Sequence, residues 1–422
     1  MLLNRAIIVG ICGGIASYKA VELVSQLQQA GALVDVIMTE HAEEFVRPLT
    51  FSTMSHRQVY SDLWEPSGHA AETHIALAEA AELLAVVPAT ANTIAKLACG
   101  IADNMLTAVA LATRAPFLLA PAMYRDMYTH PATQANLALL RERGAFIVEP
   151  EVGRLASGAV GPGRLPETST LLAAISMVLG RNGDLAGRRV VVTAGGTQEP
   201  IDPVRYVGNR SSGKMGYALA TEARDRGADV ILISGPVGLA APYGVELQTV
   251  QTALQMRDAV HTAIIHADVL VMSAAVADFR PAAPAAHKLK KKSGNGGGGF
   301  DDEGGFSLHL VRNPDILEEL AHPSDQTEEQ TAHARLQRLL VRVGFAAETH
   351  ELIANARSKL AAKRLNLLVA NDVSRPDSGF GTETNKVLIF HANGEVEDLP
   401  VMPKTSVATA IWDRIVPLLS VT

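Results

Sequence analysis

Short apolar runs alternate with segments of helical period along the whole chain, in two successive sets. The first set of runs covers 6–9, 33–38, 83–87, 116–120 and 146–148, with helix-period stretches such as 16–30, 72–81 and 133–143 between them. The second covers 190–193, 229–234, 269–274, 340–345 and 367–370, with helical stretches such as 216–226 and 350–363. A strand apolar throughout is buried on both faces, and interposed helices supply the crossovers of a parallel sheet. The pattern predicts an α/β chain of two open, mainly parallel, doubly wound (Rossmann-like) domains. The length of 422 residues favours two domains as well. The polar stretch Arg181-Asn182-Gly183-Asp184 is the natural linker, which gives domains 1–182 and 183–422.

Composition narrows the function classes. A net charge of −7 argues against a general nucleic-acid or membrane-surface role, though not against a local basic pocket. Cys12 and Cys99 are too few for a disulfide framework and are not spaced as metal ligands. A reducing, cytoplasmic setting is expected. The opening residues lead directly into A-I-I-V-G, so no signal peptide is expected, and no apolar run reaches membrane-spanning length.

The densest polar chemistry runs from Val190 to Gly216. A buried-strand run ends in a Gly-Gly turn, and Asn209, Arg210, Ser211, Ser212, Gly213 and Lys214 precede a helix opening near Met215. Backbone N–H groups in such turns, with a helix N-terminus, grip polyphosphates. Gly208 to Lys214 fits G-x-x-x-x-G-K, but Met215 stands where a P-loop needs a hydroxyl for Mg²⁺. A nucleotide site of another kind is expected.

In the first half, one strand ends in Gly13-Gly14, followed by Ala16 and Ser17 entering a helix. The spacing is not G-x-G-x-x-G, and the second strand ends in Thr39 rather than an acid, so a dinucleotide ribose has no anchor. A mononucleotide suits better, while a glycine turn serving only packing is the plainer alternative. The third strand ends Pro88-Ala89-Thr90-Ala91-Asn92, with a helix beginning near Thr93; this suits a ligand at a sheet crevice or an ordinary helix cap. His74 stands at a helix start, commonly a surface or capping position. Segment 153–168 reads as a loop of lid length, and Lys290 to Gly305 as a low-complexity mobile loop or loose hairpin.

Together these segments resemble the bacterial bifunctional phosphopantothenoylcysteine decarboxylase / phosphopantothenate–cysteine ligase family. G-G-I-A-S-Y-K-A, T-H-I-A-L-A, V-P-A-T-A-N-T, G-I-A-D-N-M-L-T and A-P-A-M-Y are similar to its decarboxylase half. V-T-A-G-G-T-Q-E-P-I-D-P-V-R-Y, N-R-S-S-G-K-M-G, S-A-A-V-A-D-F-R, N-P-D-I, V-G-F-A-A-E-T and A-N-D-V-S are similar to its ligase half.

The resemblance implies a flavodoxin-like flavoprotein domain first, with FMN held by Gly13, Gly14, Ala16, Ser17, Thr39, Pro88, Ala89, Thr90, Asn92 and Met123. It implies His74 as the catalytic acid/base. In the ligase half it implies Asn209 and Lys288 as catalytic residues. Substrate contacts would come from Arg205, Ser211, Ser212, Gly213, Ser273, Ala274, Ala275, Asn313, Pro314, Asp315, Ile316, Phe345, Lys359 and Lys363. Asp278 would touch CTP or Mg²⁺ (or Mn²⁺). Plainer readings stand beside these: a solvated lysine run around Lys288, a core Phe345, and a helix cap at Asn313 or Asp315.

The implied reactions are CTP-dependent condensation of 4′-phosphopantothenate with cysteine through an acyl-cytidylate, then FMN-dependent oxidative decarboxylation of phosphopantothenoylcysteine and re-reduction to 4′-phosphopantetheine. The implied particle is a homo-oligomer of decarboxylase trimers joined by ligase dimers, such as a dodecamer. Two positions depart from the family. Tyr124 follows P-A-M where an asparagine is usual, and Ser157 stands at the flap cysteine. Tyr124 can still hydrogen-bond a carboxylate, whereas a hydroxyl is a far weaker acid than a thiol. The alternatives are an active ligase with an impaired or regulatory flavoprotein half, a flavin-binding regulator, and paired NAD(P)-type domains.

Overall fold

The computed structural model describes residues 2–64, 72–289, 307–322, 340–348, 352–372, 379 and 381–419. The chain divides into two compact units, Met1–Arg181 and Asn182–Thr422.

The first unit is built on β1 (Ala6–Ile11), β2 (Leu33–Met38), β3 (Val59–Tyr60), β4 (Leu83–Ala89), β5 (Phe117–Pro121) and β6 (Phe146–Ile147). They form one parallel sheet in the order β3-β2-β1-β4-β5-β6. Without the two-residue edge strand β3, this is the flavodoxin-like order. β4 is buried along its whole length, which explains its unbroken apolar run. The sheet reverses its winding between β1 and β4, so the carboxyl ends of these strands bound a ligand crevice. Helices α1 (Ser17–Gln29), α3 (Thr73–Ala80), α4 (Ala91–Cys99) and α5 (Met105–Ala112) follow or flank them. Part of the segment expected as a loop is an antiparallel hairpin, β7 (Glu151–Arg154) and β8 (Val160–Arg164). Its two strands alternate exposed and covered residues around glycines, a pattern that carries no apolar run.

The second unit has an eight-stranded sheet, in spatial order β13 (Glu246–Thr249), β12 (Asp229–Ser234), β9 (Arg189–Ala194), β14 (Val269–Met272), β17 (Val341–Glu348), β18 (Leu367–Asp372), β20 (Val387–His391) and β21 (Val396–Asp398). The expected strands appear as β9, β12, β14, β17 and β18, all parallel. β13 extends one edge in parallel, and β20 and β21 extend the other antiparallel. One apolar layer packs α9 (Lys214–Asp225) and the helix Lys404–Leu419 on one face. There Trp412 is fully buried and its indole N–H donates to the Leu219 carbonyl at 3.0 Å. The other layer holds α10 (Ala253–Ala263) and α11 (Ile316–Ala321). Among the described residues no helix is long and apolar enough to cross a membrane. The glycine-rich stretch Lys290 to Gly305 lies outside the described residues.

Candidate functional site

In the first unit the turns after β1 and β4 face each other. A side chain on Gly14 would lie 3.7 Å from the Thr90 methyl, and one on Gly13 would run into His41 at 2.4 Å. Ser17 opens α1, is fully buried, and its Oγ has no hydrogen-bond partner. Ala16 precedes it without a capping side chain, and the Ser17 and Lys19 N–H groups donate to the Gly14 and Ala16 carbonyls at 2.9 and 3.0 Å. Thr39 follows β2 and is tied to β1 through its N–H to the Ile11 carbonyl (2.9 Å). Pro88 and Ala89 end β4, and Ala89 accepts from the Ala122 N–H at 3.0 Å. Thr90 is the N-cap of α4, its Oγ1 accepting from the Thr93 N–H at 3.4 Å, so the plain cap reading holds for it; Asn92 is exposed on the same first turn.

The hairpin docks on the end of β5. The Met123 N–H donates to the Gly163 carbonyl at 3.0 Å, and a side chain on Gly163 would strike the Met123 carbonyl oxygen at 2.1 Å. Tyr124 is 40% exposed beside this junction. Ser157 sits at the hairpin tip, exposed, its Oγ accepting from the Ala159 N–H at 3.4 Å. His74 is half-buried in the first turn of α3. No hydrogen bond among the described residues joins it to the β1 or β4 turns.

In the second unit a cavity of about 790 Å³ lies against β14, β17 and β18, with Met272, Phe345, Ala346 and Asn371 among its lining residues. It gathers residues from many separate stretches of the second unit. Asn209, Ser211, Ser212 and Gly213 lead into α9, where Gly213 takes φ +76° as an N-cap without a capping side chain. The Asn209 amide donates to the Val276 carbonyl at 3.1 Å, which ties that loop to Ser273, Ala274, Ala275 and Asp278 after β14. Asn313, Pro314, Asp315 and Ile316 form the next wall; the Asn313 amide donates to the Ala277 carbonyl at 2.8 Å. Asp315 is the N-cap of α11 and pairs with Lys363 at 2.6 Å, so it is both cap and wall. Phe345 packs on the core while reaching the cavity, and Lys359 joins Lys363 there.

Two expected residues are placed elsewhere. Arg205 turns to Asp202, its Nε 3.0 Å from Oδ2, and donates to the Leu289 carbonyl at 2.7 Å. A buried carboxylate captures the guanidinium more strongly than an open cavity does. Lys288, next to Leu289, is exposed and does not line the cavity within one chain.

The flavoprotein family model matches residues 1–180, and that of the DNA/pantothenate metabolism flavoprotein C-terminal domain matches residues 185–418. The coenzyme A biosynthesis bifunctional protein CoaBC of Bacillus subtilis (strain 168) is 47% identical over 421 residues, spanning 99% of this chain and 98% of its own. That of Mycobacterium tuberculosis (strain H37Rv) is 44% identical over 425 residues, spanning 99% and 97%. A crystal structure of the C-terminal domain of such a protein, at 35% identity, covers 57% of this chain and all of its own, with a TM-score of 0.45. The chain belongs to the family of coenzyme A biosynthesis bifunctional proteins. It is a bifunctional enzyme with decarboxylase and ligase activities, and a match running through both halves does not favour an impaired or regulatory flavoprotein half.

Lys214, from the polar turn singled out in the sequence, lines the cavity of this CoaBC-family chain, and so do Asn371, Gly379, Asn385 and Lys404, which sequence reasoning misses. Lys404 is 6% exposed, and burial together with the nearby Lys214 holds its ammonium down to about 8. A lysine opening a helix opposes the helix dipole, and that was the one available signal.

Proposed function

We propose that the second unit joins 4′-phosphopantothenate to cysteine at the expense of CTP, and that the first unit uses FMN to convert phosphopantothenoylcysteine to 4′-phosphopantetheine. The ligase reading is carried by one observation. A single cavity holds the α9 N-terminus, the Ser211–Ser212–Gly213 turn, Asp278 and the Lys359/Lys363 pair.

That set matches phosphoryl chemistry. The substrate carboxylate attacks the α-phosphate of CTP, the bond to the bridging oxygen breaks, and pyrophosphate leaves. The cysteine amine then attacks the acyl carbon, loses a proton, and CMP departs. Negative charge builds on phosphate oxygens throughout, and oriented N–H groups and lysines stabilise it. Phe345 offers an aromatic face to a base, and Asn209 orients the acyl-cytidylate from the loop tied to Val276. No group of three or more His, Cys, Asp or Glu able to hold a metal occurs among the described residues. Mg²⁺ would therefore arrive on the phosphates, with Asp278 as a protein carboxylate for it.

The first unit fits FMN. The buried, unpartnered Ser17 Oγ at the N-terminus of α1, close to Gly13, where a side chain would strike His41, suits a phosphate. Gly13, Gly14, Ala16 and Ser17 would hold that end, with Thr39, Pro88, Ala89, Thr90, Asn92 and Met123 around the rest. When bound, FMN supplies reversible two-electron chemistry at the cysteine carbon–sulfur centre. His74 moves or holds the proton. The Tyr124 hydroxyl hydrogen-bonds the substrate carboxylate, and the Ser157 hydroxyl donates from the hairpin tip. We propose a homo-oligomer of flavoprotein trimers joined by ligase dimers, checked by light scattering.

Purified chain given 4′-phosphopantothenate, cysteine, CTP and Mg²⁺, followed by mass spectrometry, tests the whole reading. Both phosphopantothenoylcysteine and 4′-phosphopantetheine should form, and His74→Asn should stop only the second. Accumulation of the first product alone removes the decarboxylase reading; neither product removes both.

A further inference from the structure

Lys404 is the first residue of the helix Lys404–Leu419 and is almost wholly buried. Both facts cost free energy, because a cation there opposes the helix dipole and loses its hydration. Compensation comes from one short segment. The Lys404 ammonium donates to the carbonyls of Gly379 (3.1 Å), Thr382 (2.7 Å) and Thr384 (3.0 Å) and to Asn385 Oδ1 (3.1 Å). The Thr382 hydroxyl, 3.4 Å away, completes the cage.

The same segment is gripped from α9. Lys214, the first residue of that helix, donates to the Gly381 carbonyl at 3.2 Å and pairs with Glu383. Asn385 passes the connection inward. Its amide donates to Met215 Sδ at 3.7 Å, and its Oδ1 accepts from the Asn371 amide at 3.4 Å. Lys404, Lys214, Asn385, Asn371 and Met215 all line the ligase cavity.

An apolar side chain of the same length fills such a space without a desolvation cost, so packing alone does not account for a lysine. A charged clamp does: three ammonium protons in a ring of carbonyls fix backbone position in a way a methyl group cannot. We propose that Lys404 is a positioning residue of the ligase: with Lys214 it fixes Gly379 and residues 381–385, so that Gly379 and Asn385 form the cavity wall beside the α9 N-terminus, and CTP binds against that wall. This rests on the ligase reading above.

The test uses the full chain, whose decarboxylase is an internal control. Pyrophosphate release from CTP with 4′-phosphopantothenate and cysteine is measured first on the unmodified protein; no release overturns the ligase reading itself. Lys404→Met keeps length and removes charge. Its KM for CTP should rise about tenfold while kcat stays within about threefold, the split expected when binding geometry is lost and chemistry is not. Conversion of added phosphopantothenoylcysteine should be unchanged. Lys214→Met should raise the same KM, and the double variant should fall short of the product of the two effects, because both act through one segment. If Lys404→Met also loses the decarboxylase, the chain has misfolded and Lys214→Met decides. A KM for CTP within about twofold of the unmodified value in the folded variants overturns the proposal.

Discussion

Lys363 Nζ lies 2.6 Å from Asp315 Oδ2 on the wall of the ligase cavity, and the same carboxylate caps α11 through the Glu318 N–H at 3.2 Å. One side chain therefore sets both the start of a helix and the direction of a lysine. The two side chains are 24% and 39% exposed. An ion pair that open is worth about 0–1 kcal/mol, too little to explain the arrangement by stability. Lys363→Ala should leave the unfolding free energy within about 1 kcal/mol and raise the KM for CTP about tenfold. Asp315→Asn keeps a good N-cap, so it should affect KM but hardly stability, whereas Asp315→Ala should lose about 1 kcal/mol as well. An unchanged KM in Lys363→Ala removes that lysine from the nucleotide site.

The Ser17 hydroxyl makes an opposite-sign prediction for two measurements on one variant. Buried without a partner, it costs the flavin-free protein about 1–3 kcal/mol. Ser17→Ala should thus unfold no earlier than the unmodified chain when flavin is stripped, yet bind FMN about tenfold more weakly, a loss of about 1.4 kcal/mol. Denaturant unfolding of stripped protein and fluorescence titration with FMN read the two effects. A variant that is less stable without flavin and binds it normally would show that the hydroxyl serves packing.

The parallel strands were legible because burial on both faces leaves an unbroken apolar run, as in β4 and β9. β13 and β21 are short and largely exposed, so they leave no such run. The nucleotide cavity was legible where its residues sit in glycine-rich turns, such as Ser211 to Gly213. The Lys404 cage was not. Most of its acceptors are main-chain carbonyls, 20 to 25 positions away, and backbone acceptors have no residue signature. The family resemblance implies Lys288 as a catalytic residue and Arg205 as a substrate contact one short loop from Asn209. Proximity could not foresee that a buried Asp202 would take the guanidinium.

Gly163 joins the hairpin to the end of β5 by contact rather than by length. It takes φ +130°, and a side chain there would meet the Met123 carbonyl oxygen at 2.1 Å. Gly163→Ala must push the hairpin base off Met123 and Tyr124. Decarboxylation should fall about tenfold or more, as small displacements of positioning groups do, while the ligase of the same chain is untouched. Gly158, at the tip with φ +86° and nothing within 4 Å, is the control. Gly158→Asn tolerates positive φ better than most residues and should cost much less activity. Equal losses in the two variants would mean that the docked base has no special part.

Asp202 is 3% exposed and accepts the N–H groups of Val204 and Arg205 at 2.8 Å and of Leu289 at 3.1 Å, besides the Arg205 guanidinium. Burial alone pushes its carboxyl up; the Arg205 bond and the N–H groups of Val204, Leu289 and Arg205 overcome this and hold it far below the usual value. The folded state thus resists a proton that the unfolded state accepts near the ordinary carboxylate value of about 4. The stabilisation is complete above that value and is lost as pH falls through the folded one. Asp202→Asn should be less stable at pH 7, and the gap to the unmodified chain should narrow as pH drops below about 4. Because Leu289 hangs on this carboxylate, the variant should also slow the ligase if Lys288 reaches phosphate from the neighbouring position. Urea unfolding across the acid range checks the first expectation, with the difference between the two proteins as the readout, since other carboxylates titrate in both. A gap that stays constant with pH would mean that Asp202 contributes by shape rather than by charge.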